Sequence, residues 1–116
     1  MTYQYSLIYS LTMPTLTSPP PVLERLKALA DENRLAILDE LSSGERCVCE
    51  LMECLDLKQP LLSFHLKILK DAALITCRRE GRWCYYTLNP HAVRELGLKI
   101  GTLASVPKRR GRRICP

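Results

Sequence analysis

The chain has 116 residues, 47% apolar and 25% charged, enough for one compact domain with a real core and too few for two. That size excludes most multi-domain enzymes, and no run approaches the roughly 18 consecutive apolar residues of a membrane span, so no membrane partner is expected. The net charge of +5 is carried by the last ten residues, where Lys108, Arg109, Arg110, Arg112 and Arg113 stand without an acid, and residues 1–106 sum to zero.

Within that neutral body the signs are segregated. Residues 1–57 hold four bases and nine acids, whereas residues 58–82 hold six bases (Lys58, Lys67, Lys70, Arg78, Arg79 and Arg82) and two acids. Such asymmetry suits one positive surface presented to a polyanion, or simply solvated charge. The six cysteines, Cys47, Cys49, Cys54, Cys77, Cys84 and Cys115, read as reduced thiols of a cytoplasmic protein rather than a secreted disulfide scaffold. Residues 1–13 lack the basic start and unbroken apolar run of a signal peptide.

In chain order, residues 1–21 end in Ser18-Pro19-Pro20-Pro21 and are expected to form a disordered lead-in, with Met13 an alternative start. From Val22 the apolar period is helical through Val22, Leu26, Leu29 and Ala30, and Asp31 offers an N-cap for a second helix through Leu35, Ile37, Leu38 and Leu41. Ser42-Ser43-Gly44 stops that run. A short third helix fits Val48 to Leu55, with Glu50 and Glu53 early in it, where the helix dipole favours acids.

A fourth helix is predicted from Gln59 to Ala72, with Pro60 tolerated in its first turn. At about 100° per residue, Leu62, Leu66, Leu69 and Ala73 line one face while Pro60, Ser63, Phe64, Lys67 and Asp71 point away from it. A phenylalanine beside serine and lysine on the outer face suggests a helix built to touch something. Two strand-like runs, Leu74 to Arg79 and Arg82 to Leu88, flank a glycine turn and make a β-hairpin with arginines at its tip. Asn89-Pro90 opens a last helix through Val93, Leu96, Ile100 and Leu103. The expected fold is therefore mainly α with a small hairpin, a winged helix-turn-helix of order α-α-α-α-β-β-α over residues 22–106. A basic flexible tail, 107–116, would add non-specific, salt-sensitive affinity for nucleic acid.

Three segments in this order, Leu26 to Leu38 (LKALADENRLAIL), Gln59 to Lys70 (QPLLSFHLKILK) and Arg79 to Trp83 (REGRW), resemble the ArsR/SmtB family of metal-responsive bacterial repressors. The likeness covers about residues 22–104. It implies a homodimer whose fourth helices enter successive major grooves of palindromic double-stranded operator DNA, with the wings on the flanking backbone, and release of DNA when an inducer binds. Gln59, Ser63, Phe64 and Lys67 are the candidate groove contacts, and Arg78, Arg79 and Arg82 the candidate phosphate contacts. His65 fills the family's Ser-x-His-Leu pattern, either as a DNA contact or as a structural hydrogen bond.

The family's arsenic sensors carry Cys-Val-Cys at the start of the third helix, which stands here as Cys47-Val48-Cys49. Trivalent arsenic, as arsenite, and antimonite with it, is soft and pyramidal and takes three thiolates; a helix start favours two of them as thiolates. The family's third cysteine falls on Met52, so the third ligand is open among Cys54, Cys115 and a solvent thiol or hydroxide. From Cys49 the five-residue step to Cys54 turns about 140° around the helix, so a shared site there needs local unwinding. The resemblance thus implies arsenic(III) as an inducer, with no catalytic cofactor.

The rivals are a Cd2+ or Pb2+ repressor, which wants four thiolates, and a redox-responsive repressor using Cys77 with Cys84 or Cys47 with Cys49. A two-residue turn at Glu80-Gly81 would set Cys77 and Cys84 directly opposite. Paired zinc ligands on the last helix are wanting, since His91 has no second histidine. An arsenate-reducing thiol enzyme is disfavoured: the chain has neither Cys-x-x-Cys nor a cysteine followed six residues later by arginine.

Overall fold

The structure, a computed structural model, describes residues 21–104. The lead-in before Pro21, the basic tail and Cys115 lie outside the described residues.

Among the described residues, five helices and three strands follow in the order α1 (Val22–Leu29), α2 (Glu32–Leu41), β1 (Arg46–Cys47), α3 (Val48–Leu55), α4 (Gln59–Asp71), β2 (Ile75–Glu80), β3 (Trp83–Leu88) and α5 (Pro90–Thr102). This is the expected order with one addition, β1, which pairs antiparallel with β3 so that the sheet runs β1-β3-β2. Two residues show no periodicity in a sequence, and only the partner strand makes them a strand.

Local chemistry sets the boundaries. Asp31 caps α2, its carboxylate accepting from the Arg34 backbone N–H at 3.1 Å. Asn89 caps α5 by accepting from the Ala92 N–H, while its amide nitrogen donates to the Ala73 carbonyl at 2.9 Å, tying the start of α5 to the end of α4. At that end, the Leu74 N–H reaches the Leu69 carbonyl and the Ala73 N–H that of Lys70, a Schellman closure. Ala73 occupies the left-handed position, φ +63°, where glycine is usual. It therefore follows α4 rather than extending its apolar face.

The core gathers Ile37, Leu41, Leu51, Leu62, Leu69, Leu74 and Ile75, all fully buried, from α2, α3, α4 and the sheet edge. Four of the apolar-period positions differ: Leu35, at 53%, Val93 and Ile100 of α5, and Leu103 just after it are exposed, as is Leu98. Leu35, Leu26, Leu29, Val93 and Ile100 help line an open apolar groove of about 640 Å³ between α1, α2 and α5.

The hairpin turn is two residues long, but it is Gly81-Arg82, with Glu80 opposite Trp83. Gly81 at φ +65° takes the first central position of the turn, a place that favours glycine. The register therefore moves from the one expected: Cys77 faces Tyr86 and Cys84 faces Arg79.

Candidate nucleic-acid interface and thiol site

Helix α4 buries Leu62, His65, Leu66, Ile68 and Leu69 and leaves Gln59, Leu61, Ser63, Phe64 and Lys67 on the outside. All four predicted groove residues thus share the exposed side of one helix. Lys67 pairs with Asp71 one turn on, Nζ to Oδ2 3.0 Å, an exposed pair that solvent screens. The Phe64 ring stands edge-on to His65, centroids 5.1 Å apart at 67°, so it is held from behind while 38% exposed. Leu61, which the sequence reading passed over, adds a second apolar side chain at i−3 from Phe64.

His65 does not belong to that outer side. It is 4% exposed, with Arg34 Nη1 donating to its Nδ1 at 3.0 Å and the Asn33 amide 3.5 Å from Nε2. Accepting at Nδ1 fixes the other tautomer, so Nε2 carries the proton and faces the Asn33 amide group. Burial, and then the Arg34 charge, hold its pKa below the ordinary histidine value against the opposing pull of Asp31, 3.8 Å away. Arg34 is itself buried and also donates through Nε to the Ala28 carbonyl at 2.7 Å. Burial lowers its pKa and Asp31 offsets part of that. The cluster locks α2 to α4. The sequence signal was available: His65 lies three residues after Leu62 and four before Leu69, a buried spacing.

On the wing, Arg79 and Arg82 have no ion-pair partner among the described residues. Arg78 differs. It grips Glu45 with Nε and Nη2 at 3.2 and 2.9 Å, donates Nη1 to Glu80 at 2.9 Å and lies over the Tyr85 ring at 4.7 Å. The Glu45 carboxyl is held below its ordinary pKa chiefly by that hydrogen bond. Arg78 braces the wing to the segment before β1, with two carboxylates already spent on it. Trp83, at the tip, is half exposed and was not anticipated as a surface residue.

The thiols sit where β1 passes into α3. Cys47 ends β1, pairs with Tyr85 and is the N-cap of α3, its backbone N–H donating to the Glu50 carboxylate at 2.9 Å. Cys49 lies in the first turn, exposed, and the two Sγ atoms are 2.8 Å apart. The hydrogen bond to Cys47, followed by desolvation and the Cys47 charge, pushes the Cys49 thiol above its ordinary pKa, outweighing the backbone N–H groups of Glu50 and Cys49. The helix start favours a thiolate, but at Cys49 the neighbouring sulfur outweighs it.

Met52 packs against the core, and Cys54 is exposed, with its pKa raised by desolvation first and by the nearby Glu40 of α2 second. Among the described residues no three His, Cys, Asp or Glu side chains converge on one point. No helix among them is long and apolar enough to cross a membrane.

The profile of the family described as "Bacterial regulatory protein, arsR family" matches residues 31–76, which run from the α2 cap to the start of β2. The chain is 44% identical over 93 residues to the arsenical resistance operon repressor of Bacillus subtilis, covering 79% of this chain and 87% of that one. It belongs to the arsR family. A second relative, the HTH-type transcriptional repressor SmtB of Mycobacterium tuberculosis, is 46% identical over 84 residues, 67% of this chain and 62% of that protein. Among solved structures, the homodimeric winged helix-turn-helix DNA-binding domain of a possible ArsR-family regulator from Mycobacterium bovis superposes with TM-score 0.61 at 34% identity, covering 71% of this chain and 77% of that one. The arsR-family fold is thus a winged helix-turn-helix, and the family and these relatives are transcriptional regulators rather than enzymes.

Proposed function

We propose that this arsR-family chain is a homodimeric cytoplasmic repressor that grips palindromic operator DNA with α4 and the hairpin and releases it when trivalent arsenic, as arsenite, or antimonite is captured by Cys47 and Cys49. The observation that carries the reading is the pair of thiols facing each other at 2.8 Å at the head of α3, in a chain similar to arsenical resistance operon repressors. Gln59, Ser63, Phe64 and Lys67 read the groove, and Arg79 and Arg82 meet phosphates. His65 positions α4 from behind. A second copy covers the apolar groove and the outward side chains of α5.

Capture balances without net protons. Neutral arsenous acid exchanges two As–O bonds for two As–S bonds, and each departing hydroxide leaves as water with one thiol proton. A third ligand, Cys115, Cys54 after local unwinding of α3, or a solvent thiol or retained hydroxide, completes the pyramid. Drawing the two sulfurs onto one centre strains the segment that is at once the end of β1 and the cap of α3. Asp56, at φ 55°, then turns the chain directly into α4. An inducer that favours the strained state by about 2.7 kcal/mol shifts DNA occupancy a hundredfold.

The test is fluorescence anisotropy of the reduced protein on its operator, titrated in parallel with arsenite, Cd2+, Zn2+ and peroxide. Cys47→Ser and Cys49→Ser should each keep DNA affinity and lose release by arsenite; a mutant that still releases normally moves the site elsewhere. Release by peroxide without metal favours the redox rival. Cd2+ or Pb2+ is the inducer rival, and it differs in proton balance: a cation must expel thiol protons into solvent, so its potency rises with pH below the thiol pKa. Arsenite potency stays flat over the same range.

A further inference from the structure

Cys77 and Cys84 take no part in the reading above. On the β2–β3 ladder, Cys77 faces Tyr86 and Arg79 faces Cys84, so these four side chains share one face of the wing, with the cysteines on a diagonal. Cys77 is exposed and Cys84 half-buried. A diagonal pair stands about 7–8 Å apart, somewhat less between Cβ atoms, whereas a disulfide needs Cβ atoms about 3.5–4.5 Å apart. The diagonal is too wide for a disulfide. A metal ion between two thiolates spans about 4.6 Å from sulfur to sulfur, against about 2 Å for an S–S bond, and makes up the difference.

We propose that Cys77 and Cys84 form a second soft-metal site, on the wing, which holds one two-coordinate, thiol-seeking cation such as Cu(I). Thiolates select soft ions of this kind. An ion that needs three or four ligands finds no third His, Cys, Asp or Glu side chain converging there among the described residues. Binding replaces two S–H bonds with two S–Cu bonds, releases two protons and leaves copper in its oxidation state. The site is independent of the head of α3, and of whether arsenic is the inducer.

The test uses the full chain with Cys47, Cys49, Cys54 and Cys115 changed to Ser, leaving only the wing thiols, titrated anaerobically with Cu(I) against a chromophoric copper chelator. The expected result is one Cu(I) per chain, with affinity falling at least a hundredfold when Cys77→Ser or Cys84→Ser is added. No copper retained against the chelator, or affinity unchanged by those substitutions, overturns the proposal. A second arm needs no substitution. In the native chain given two equivalents of Cu(I), Cys77 and Cys84 become protected together from iodoacetamide, as read by peptide mass. Alkylation of both at the metal-free rate overturns the site, as does ready formation of a Cys77 to Cys84 disulfide under mild oxidation, which would refute the spacing on which it stands.

Discussion

Single residues in this chain depart from local preference in ways that measurement can weigh. Ala73 holds a left-handed conformation at the Schellman position, which costs a side chain with a Cβ roughly 1–2 kcal/mol. Ala73→Gly should therefore stabilise the fold by about 1 kcal/mol, seen as a Tm rise of roughly 4–8 °C. His65 makes an opposite kind of demand, since its folded pKa lies below its ordinary one. The unfolded chain then binds the proton more readily, so the contribution of His65 is full above the ordinary histidine range near 6.5 and is lost as pH falls from there through the folded value. Denaturation midpoints should drop between pH 7 and 5, and His65→Gln, which still accepts from Arg34, should flatten that slope. The sequence pattern placed Phe64 outside because it stands opposite Leu62 and Leu69; for His65 the Ser-x-His-Leu motif left a DNA contact and a structural hydrogen bond both open, and its burial against Arg34 supplies the second. On the proposed reading, the ring of Phe64 meets a thymine methyl in the groove. Replacing that thymine by uracil should weaken binding about fourfold per half-site, the worth of one buried methyl, and Phe64→Ala should bind both duplexes alike.

Among the elements, the helices were readable from apolar spacing and caps, and α3 and α4 began where Val48 and Gln59 suggested. The sheet was less so, because its decisive facts are pairings. Nothing within Arg46-Cys47 announces a strand, and a shift of the turn from Glu80-Gly81 to Gly81-Arg82 re-pairs every residue of the hairpin. The wing arginines divide for a similar reason, since Glu45 is 33 residues from the Arg78 it neutralises. Arg79→Ala and Arg82→Ala should each lower the salt dependence of DNA binding by about one phosphate contact per subunit, while Arg78→Ala should leave that slope nearly unchanged. A slope reduced equally by all three would mean that Glu45 yields Arg78 to DNA.

At the scale of the whole molecule, the unsatisfied feature is the apolar groove between α1, α2 and α5 with Leu35 and Ile100 on its walls. A helical period predicts that such residues are buried without saying by what, and for Leu35 and Ile100 the described chain does not bury them. If a second copy covers them, Ile100→Glu should give a folded monomer by sedimentation that has lost most of its operator affinity; a persistent dimer would place the interface elsewhere. One further consequence follows from the brevity of β1. Its ladder to β3 has only two backbone pairs, Arg46 to Tyr86 and Cys47 to Tyr85, with the exposed Arg78 to Glu45 clamp beside them, so this seam can part while the core of Leu51, Leu62 and Leu69 stays shut. Amide hydrogens along it should exchange with solvent orders of magnitude faster than those in the middle of α4. A seam of two backbone pairs and one exposed ion pair thus runs between the thiol pair and the wing.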